Sequence, residues 1–247
     1  MNALEIKGLT KKYKEFTLNS INFNITKGSI MGFVGPNGAG KTTTIKAILN
    51  MINIDAGEII LWGNSNGNSN ADRKIFNQIG VVADFTIYDS DWKVRDINKY
   101  IAPFYANWNA SLFFSNLGNF DVSADKKISE LSAGQNTKLM LAVALSFGAK
   151  LLILDEPSSG LDPMARDEFC DLITDFIANS NGENTVLFST HIVSDLEKIA
   201  DYITFILNGN IIFSDDKAEI MSKYSNESAK TLEDVILKFY KGGAANA

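Results

Sequence analysis

Apolar positions along this chain recur with two periods, and the change from one to the other marks out its elements. Leu4 to Leu9 alternates apolar with polar, and Ile21-Asn22-Phe23-Asn24-Ile25 does so more cleanly; both predict strands. Ile30 to Val34 is a short apolar strand running into a glycine-rich loop, and Glu58 to Trp62 predicts another strand. Between them Thr43 to Met51 predicts a helix, apolar at Ile45, Ile48 and Leu49. The polar run Asn64 to Asn70 predicts a turn or loop, a hairpin tip or a solvated excursion. After Ile79-Gly80-Val81-Val82 the character changes: ten of the 26 aromatics fall between Phe85 and Phe120, at helical spacing. This predicts a mostly helical insertion running to about Gly148. Its aromatics are expected to form a small helical core. Strand patterns then return at Leu151–Leu154, Thr185–Ser189, Tyr202–Leu207 and Ile211–Phe213, with helices at Pro163–Ala178 and Ile192–Ala200. Strands alternating with helices imply a mostly parallel, helix-covered sheet. Thr231 to Lys241 predicts a last amphipathic helix, capped by Thr231-Leu232-Glu233-Asp234 and ended by Gly242 and Gly243.

Composition narrows the function. A chain of 247 residues suits one large domain, or one domain with an insertion. Its formal charge of -6 argues against non-specific nucleic-acid binding, which needs clustered Lys and Arg. The single cysteine, Cys170, excludes an internal disulfide and a cysteine metal cluster, and is consistent with a reducing cytosol. No signal-peptide pattern opens the chain, and the interrupted apolar stretch Leu139–Ala149 is too short to span a bilayer. Any work at a membrane therefore needs spans from another chain.

Three places carry chemistry. Gly35-Pro36-Asn37-Gly38-Ala39-Gly40-Lys41-Thr42 fits G-x-x-x-x-G-K-[ST] between a predicted strand and a predicted helix. Its glycines let backbone N–H groups turn toward phosphate oxygens; Lys41 would reach the β- and γ-phosphates and Thr42 would offer a hydroxyl to Mg²⁺. Leu151-Leu152-Ile153-Leu154 ends in Asp155 and Glu156. Successive strand residues point opposite ways, so the two carboxylates take different jobs, Asp155 in the Mg²⁺ shell and Glu156 on an attacking water. His191, the lone histidine, ends another predicted strand, where it could donate to a γ-phosphate oxygen or position that water. A second anion-receiving helix start lies at Leu131-Ser132-Ala133-Gly134-Gln135. Two such starts imply two different nucleotides, shared across a dimer.

These motifs, in this order, resemble the ATP-binding cassette (ABC) family of transporter ATPases: Walker A at Gly35–Thr43, signature at Leu131–Gln135, Walker B at Leu151–Glu156, D-loop at Ser159-Gly160-Leu161-Asp162 and switch at His191. The resemblance implies an α/β fold, a P-loop NTPase core with a mostly parallel sheet, an antiparallel β subdomain and an inserted helical subdomain. It implies one ABC domain over 1–247, with core 1–84 and 149–218, helical subdomain about 85–148 and helical tail 219–247. ATP would sit between two cassettes, held by Gly35, Pro36, Asn37, Gly38, Ala39, Gly40, Lys41, Thr42 and Thr43 of one, and by Ser132, Gly134 and Gln135 of the other. Asp162 would lie at the seam, and Tyr13 would stack on adenine, with Phe16 as its rival. Lys41, Glu156 and His191 would carry catalysis; Thr42, Asp155 and Asp84 would hold Mg²⁺. Asp84 stands where the family usually has glutamine, and Ala133 where glycine is common. The ending Thr231–Tyr240 is similar to the tails of cassettes serving bacterial ABC-2-type exporters. The implied partners are a second cassette, identical or related, and an integral membrane permease, at the cytoplasmic face of the cell membrane. The alternatives are a soluble cassette ATPase of an assembly system, such as an iron–sulfur scaffold, and a module that binds ATP without hydrolysing it.

Overall fold

The computed structural model describes residues 1–65, 73–83, 88–225 and 229–243. Asp84 and Phe85 lie outside them, as does 66–70 of the polar run. Strands β1 (Asn2–Lys12), β2 (Thr17–Thr26), β4 (Ala56–Leu61) and β5 (Asn64–Ser65) form an antiparallel sheet in the order β2-β1-β4-β5. The polar run therefore does not begin as a loop. Trp62 (φ 46°) and Gly63 (φ 79°) turn the chain within two residues, and Asn64 and Ser65 pair back onto Leu61 and Ile60. Paired positive φ values match the twist a tight hairpin needs.

The second sheet has the order β10-β9-β3-β8-β7-β6, built from β3 (Ile30–Val34), β6 (Ile79–Ala83), β7 (Leu151–Asp155), β8 (Thr185–Thr190), β9 (Tyr202–Leu207) and β10 (Asn210–Asp216). Only β10 runs antiparallel to its neighbour; the rest pair in parallel. Its central strands are apolar on both faces because both faces are covered. On β7, Leu151 and Ile153 join one core with the antiparallel sheet, while Leu152 and Leu154 join the other core with the helices. Met31 and Phe33 against Ile30 and Val34 divide β3 in the same way.

Helix α1 (Lys41–Ile48) follows the glycine loop. Helices α2 (Asp96–Tyr100), α3 (Ala110–Asn119) and α4 (Ala133–Ser146) lie in the stretch predicted as helical up to about Gly148, where Phe113 and Phe120 are buried and Tyr105 stacks on Phe147 at 4.0 Å. Phe104, by contrast, is 73% exposed. Helices α5 (Pro163–Ala178), α6 (Val193–Ile199), α7 (Lys217–Tyr224) and α8 (Leu232–Gly243) complete the described residues. Helix α8 opens as its sequence predicts: Thr231 Oγ1 accepts from the Asp234 amide at 3.1 Å and Asp234 Oδ2 from the Thr231 amide at 3.1 Å. It runs through Gly242 and Gly243 instead of ending before them.

Candidate active site

The parallel order brings three strand ends to one edge. Strand β3 lies between β8 and β9, and β8 between β3 and β7, so the exits of β3, β8 and β7 are adjacent. The register sets Val34 beside Thr190, and Asp155 beside Ser189. The carboxyl edge of an open parallel sheet, where strand order reverses, is where such folds bind ligands.

The glycine loop follows β3. Gly40, at φ 114°, is the residue before α1, and a Cβ there would lie 2.5 Å from Leu18 Cδ2; one on Gly35 would lie 2.4 Å from the Ile206 carbonyl oxygen. The loop thus packs so closely on β2 and β9 that it leaves no room for a side chain at either position. Lys41 is 5% exposed. Its Nζ donates to Gly35 O (2.7 Å) and Pro36 O (3.2 Å) and forms an ion pair with Glu156 Oε1 at 3.1 Å.

Glu156 joins the set by leaving its strand. Strand β7 ends at Asp155, and Glu156 takes φ 53°, a left-handed conformation that a residue with a Cβ adopts only when its surroundings hold it there. Its amide donates to Ser189 O at 2.9 Å, and Glu156 O accepts from the Ser159 amide at 3.1 Å. The two carboxylates part because the chain turns, in addition to the alternation expected of a strand. Glu156 Oε2 then meets His191 Nδ1 at 2.8 Å. Asp155 Oδ2 accepts from Thr42 Oγ1 at 2.9 Å and Oδ1 from Ser189 Oγ at 3.0 Å. Burial pushes the Asp155 carboxyl up, against the pull of these hydroxyls.

A cavity of about 560 Å³ opens over these residues, lined by Glu15, Phe16, Pro36, Asn37, Gly38, Gly40, Lys41, Thr42, Thr43 and Glu156. Its aromatic wall is Phe16. Tyr13 stands outside, 47% exposed, with Lys11 Nζ 5.5 Å from its ring centre. Ala39, of the same loop, is buried against the core shared with the antiparallel sheet.

Ser132, Gly134, Gln135 and Asp162 are assembled separately. They line a cavity of about 320 Å³ together with Phe120, Asp121, Gly160 and Leu161. Ser132 caps α4, its Oγ accepting from the Gln135 amide at 3.2 Å while Gln135 Oε1 accepts from the Ser132 amide at 3.4 Å. A Cβ on Gly134 would lie 3.1 Å from Leu161 Cδ2, so the two loops pack closely there. Asp162 caps α5 through its Oδ1 and the amides of Met164 (3.0 Å) and Ala165 (3.1 Å). None of these four residues lines the larger cavity. The two sets of motif residues therefore line separate cavities.

A protein-family model described as "ABC transporter" matches residues 18–159. The chain belongs to the ABC transporter family. Among relatives of this ABC cassette is the lantibiotic transport ATP-binding protein SrtF of Streptococcus pyogenes, 33% identical over 214 residues, 85% of this chain and 89% of that one. Another is the Nod factor export ATP-binding protein I of Burkholderia lata, 31% identical over 257 residues, 96% of this chain and 81% of that one. A solved ATP binding subunit of an ABC transporter shares the fold with a TM-score of 0.83 and 22% identity, covering 96% of this chain and 99% of that one. As an ABC cassette, the chain is an ATP-binding and ATP-hydrolysing subunit of a membrane transporter. No helix among its described residues is long and apolar enough to cross a membrane.

Sequence reading missed Glu15 as part of the larger cavity, and Ser189 as a partner of Asp155. Glu15 carries no motif. Ser189 carried a usable signal: a hydroxyl at the polar end of an apolar strand, next to the acidic strand end once β7 and β8 are paired.

Proposed function

We propose that this cassette powers export, binding Mg·ATP in the Phe16-walled cavity and hydrolysing it as one half of a cassette pair. The observation that carries the reading is the continuous set of contacts Thr42–Asp155 and Lys41–Glu156–His191 at one sheet edge. Phosphoryl transfer asks mainly for positioning and charge stabilisation. Loop amides and Lys41 receive the phosphates. Glu156 takes a proton from the attacking water, and His191, its Nδ1 2.8 Å from Glu156 Oε2, orients that carboxylate beside the γ-phosphate.

Thr42 and Asp155 present a hydroxyl and a carboxylate 2.9 Å apart, the hard-oxygen donors that Mg²⁺ prefers. Mg²⁺ there would neutralise charge on the β- and γ-phosphates. Asp84 is proposed as a further ligand from its motif position alone.

Ser132, Gly134, Gln135 and Asp162 face a partner cassette's nucleotide in this reading, and the single domain works at the cytoplasmic face on a permease. The relatives named above are transport and export ATP-binding proteins, which favours export over the soluble-assembly alternative. The test of pairing is dilution. Specific ATPase activity is expected to fall as the purified chain is diluted through the dissociation constant of the pair. A specific activity independent of concentration, in a chain that sedimentation shows to be monomeric, would sink it.

Phe16 is the adenine platform in this proposal. Phe16→Ala is expected to weaken ATP binding by about 1–3 kcal/mol, the range for losing one base–aromatic stack, while Tyr13→Ala leaves it nearly unchanged. Titration with a fluorescent ATP analogue reads both; the reverse order would return the role to Tyr13.

A further inference from the structure

Asp195 is a buried carboxylate, 6% exposed, in the first turn of α6. A carboxylate in a packed junction is unfavourable unless it is held by hydrogen bonds or opposite charge. Its Oδ2 accepts from Ser158 Oγ at 2.7 Å, and Ser158 is itself 1% exposed. Its Oδ1 faces Arg166 Nε of α5 at 3.8 Å, and that nitrogen is buried without a hydrogen bond among the described residues. Asp195 thus touches two segments. One is the turn Glu156-Pro157-Ser158-Ser159, which holds Glu156 in its left-handed conformation. The other is α5, which begins directly after Asp162. Asp195 itself lies four residues after His191, on the helix that His191 leads into. Thr137 Oγ1 of α4 reaches the same turn at Pro157 O, 3.4 Å away.

We propose that Asp195 is a positioning residue for hydrolysis, fastening the turn that carries Glu156 to the helix that follows His191. It touches neither ATP nor the attacking water. Its bond to Ser158 fixes the separation of the Glu156 carboxylate and the His191 ring, and so the direction in which Glu156 meets the water. Misplacement of a reacting group by a fraction of an ångström slows chemistry without weakening substrate binding. This inference rests on the reading that Glu156 and His191 carry hydrolysis.

The experiment compares kcat, KM and nucleotide-binding stoichiometry of the full chain with those of Asp195→Ala, Asp195→Asn, Ser158→Ala and the double alanine variant. Asp195→Ala is expected to lower kcat per nucleotide-binding site by about tenfold or more while KM stays within about twofold. Asp195→Asn keeps an oxygen for Ser158 and is expected to restore most of the rate. The double variant is expected to be no slower than Asp195→Ala alone, since both substitutions remove one bond. A merely structural Asp195 would lower the number of binding sites and leave kcat per site unchanged, and that result overturns the proposal, as do additive effects. If Asp195→Ala does not fold, Ser158→Ala decides: a parental kcat overturns the proposal, and a reduced kcat at parental KM supports it. Glu156→Gln, assayed alongside, separates the two levels. Full turnover by that variant removes the reading underneath, whereas its inactivity with a normal Asp195 and Ser158 series removes only this inference.

Discussion

Glu156→Gln is expected to bind ATP and scarcely turn it over. The substitution preserves shape and removes the basicity and charge of the carboxylate that lies between Lys41 Nζ at 3.1 Å and His191 Nδ1 at 2.8 Å. Loss of a general base costs about 10²- to 10⁴-fold in rate. Binding should hold or tighten, because the lost carboxylate competes with phosphate for Lys41 and repels the γ-phosphate. Steady-state phosphate release and equilibrium ATP binding, measured on one preparation, separate the two effects. Turnover at the parental rate would remove Glu156 from its role.

Ser132→Arg is expected to abolish hydrolysis while ATP binding persists. Ser132 lies in the wall of a cavity of about 320 Å³ that Lys41 does not line, so an arginine there obstructs the face offered to a partner and leaves the chain's own phosphate loop intact. Part of any loss is local. Ser132 is the cap of α4, and losing a capping hydroxyl costs about 1 kcal/mol of stability. Ser132→Ala measures that share and should retain much more activity than the arginine variant. Equal loss of binding and hydrolysis in Ser132→Arg would place the signature in the same half-site as Lys41, against the paired arrangement.

Much of the fold was legible because it obeys local rules. Ile30–Val34 and Pro163–Ala178 lie where the pattern predicts them: the first is a short apolar run ending in glycine, the second a periodic run opened by proline. Boundaries slipped where pairing extended a strand beyond its apolar pattern. Strand β1 reaches from Asn2 to Lys12 because β2 and β4 flank it on both sides. Asn64 and Ser65 were unreadable as strand for the same reason, since their order comes from Ile60 and Leu61 across a hairpin and not from their own propensity.

The candidate site divides along the same line. Lys41 and Thr42 sit in one continuous motif, so covalent connection alone brings them to the mouth of one helix. Glu156 and His191 are 35 residues apart, and only the parallel pairing of β7 with β8 sets their exits side by side. Along the chain Tyr13 is the favoured ring and Phe16 its rival, yet β1 and β2 turn there so that Phe16 walls the cavity and Tyr13 stands outside it. Ser158, Arg166 and Asp195 carry no motif, and they matter only because α5, α6 and the end of β7 converge on one buried point. Motifs are short-range because a phosphate is gripped by neighbouring amides. Placement of an acid, a ring or a buried carboxylate is long-range because sheet order and packing, which no local run encodes, bring distant segments into contact.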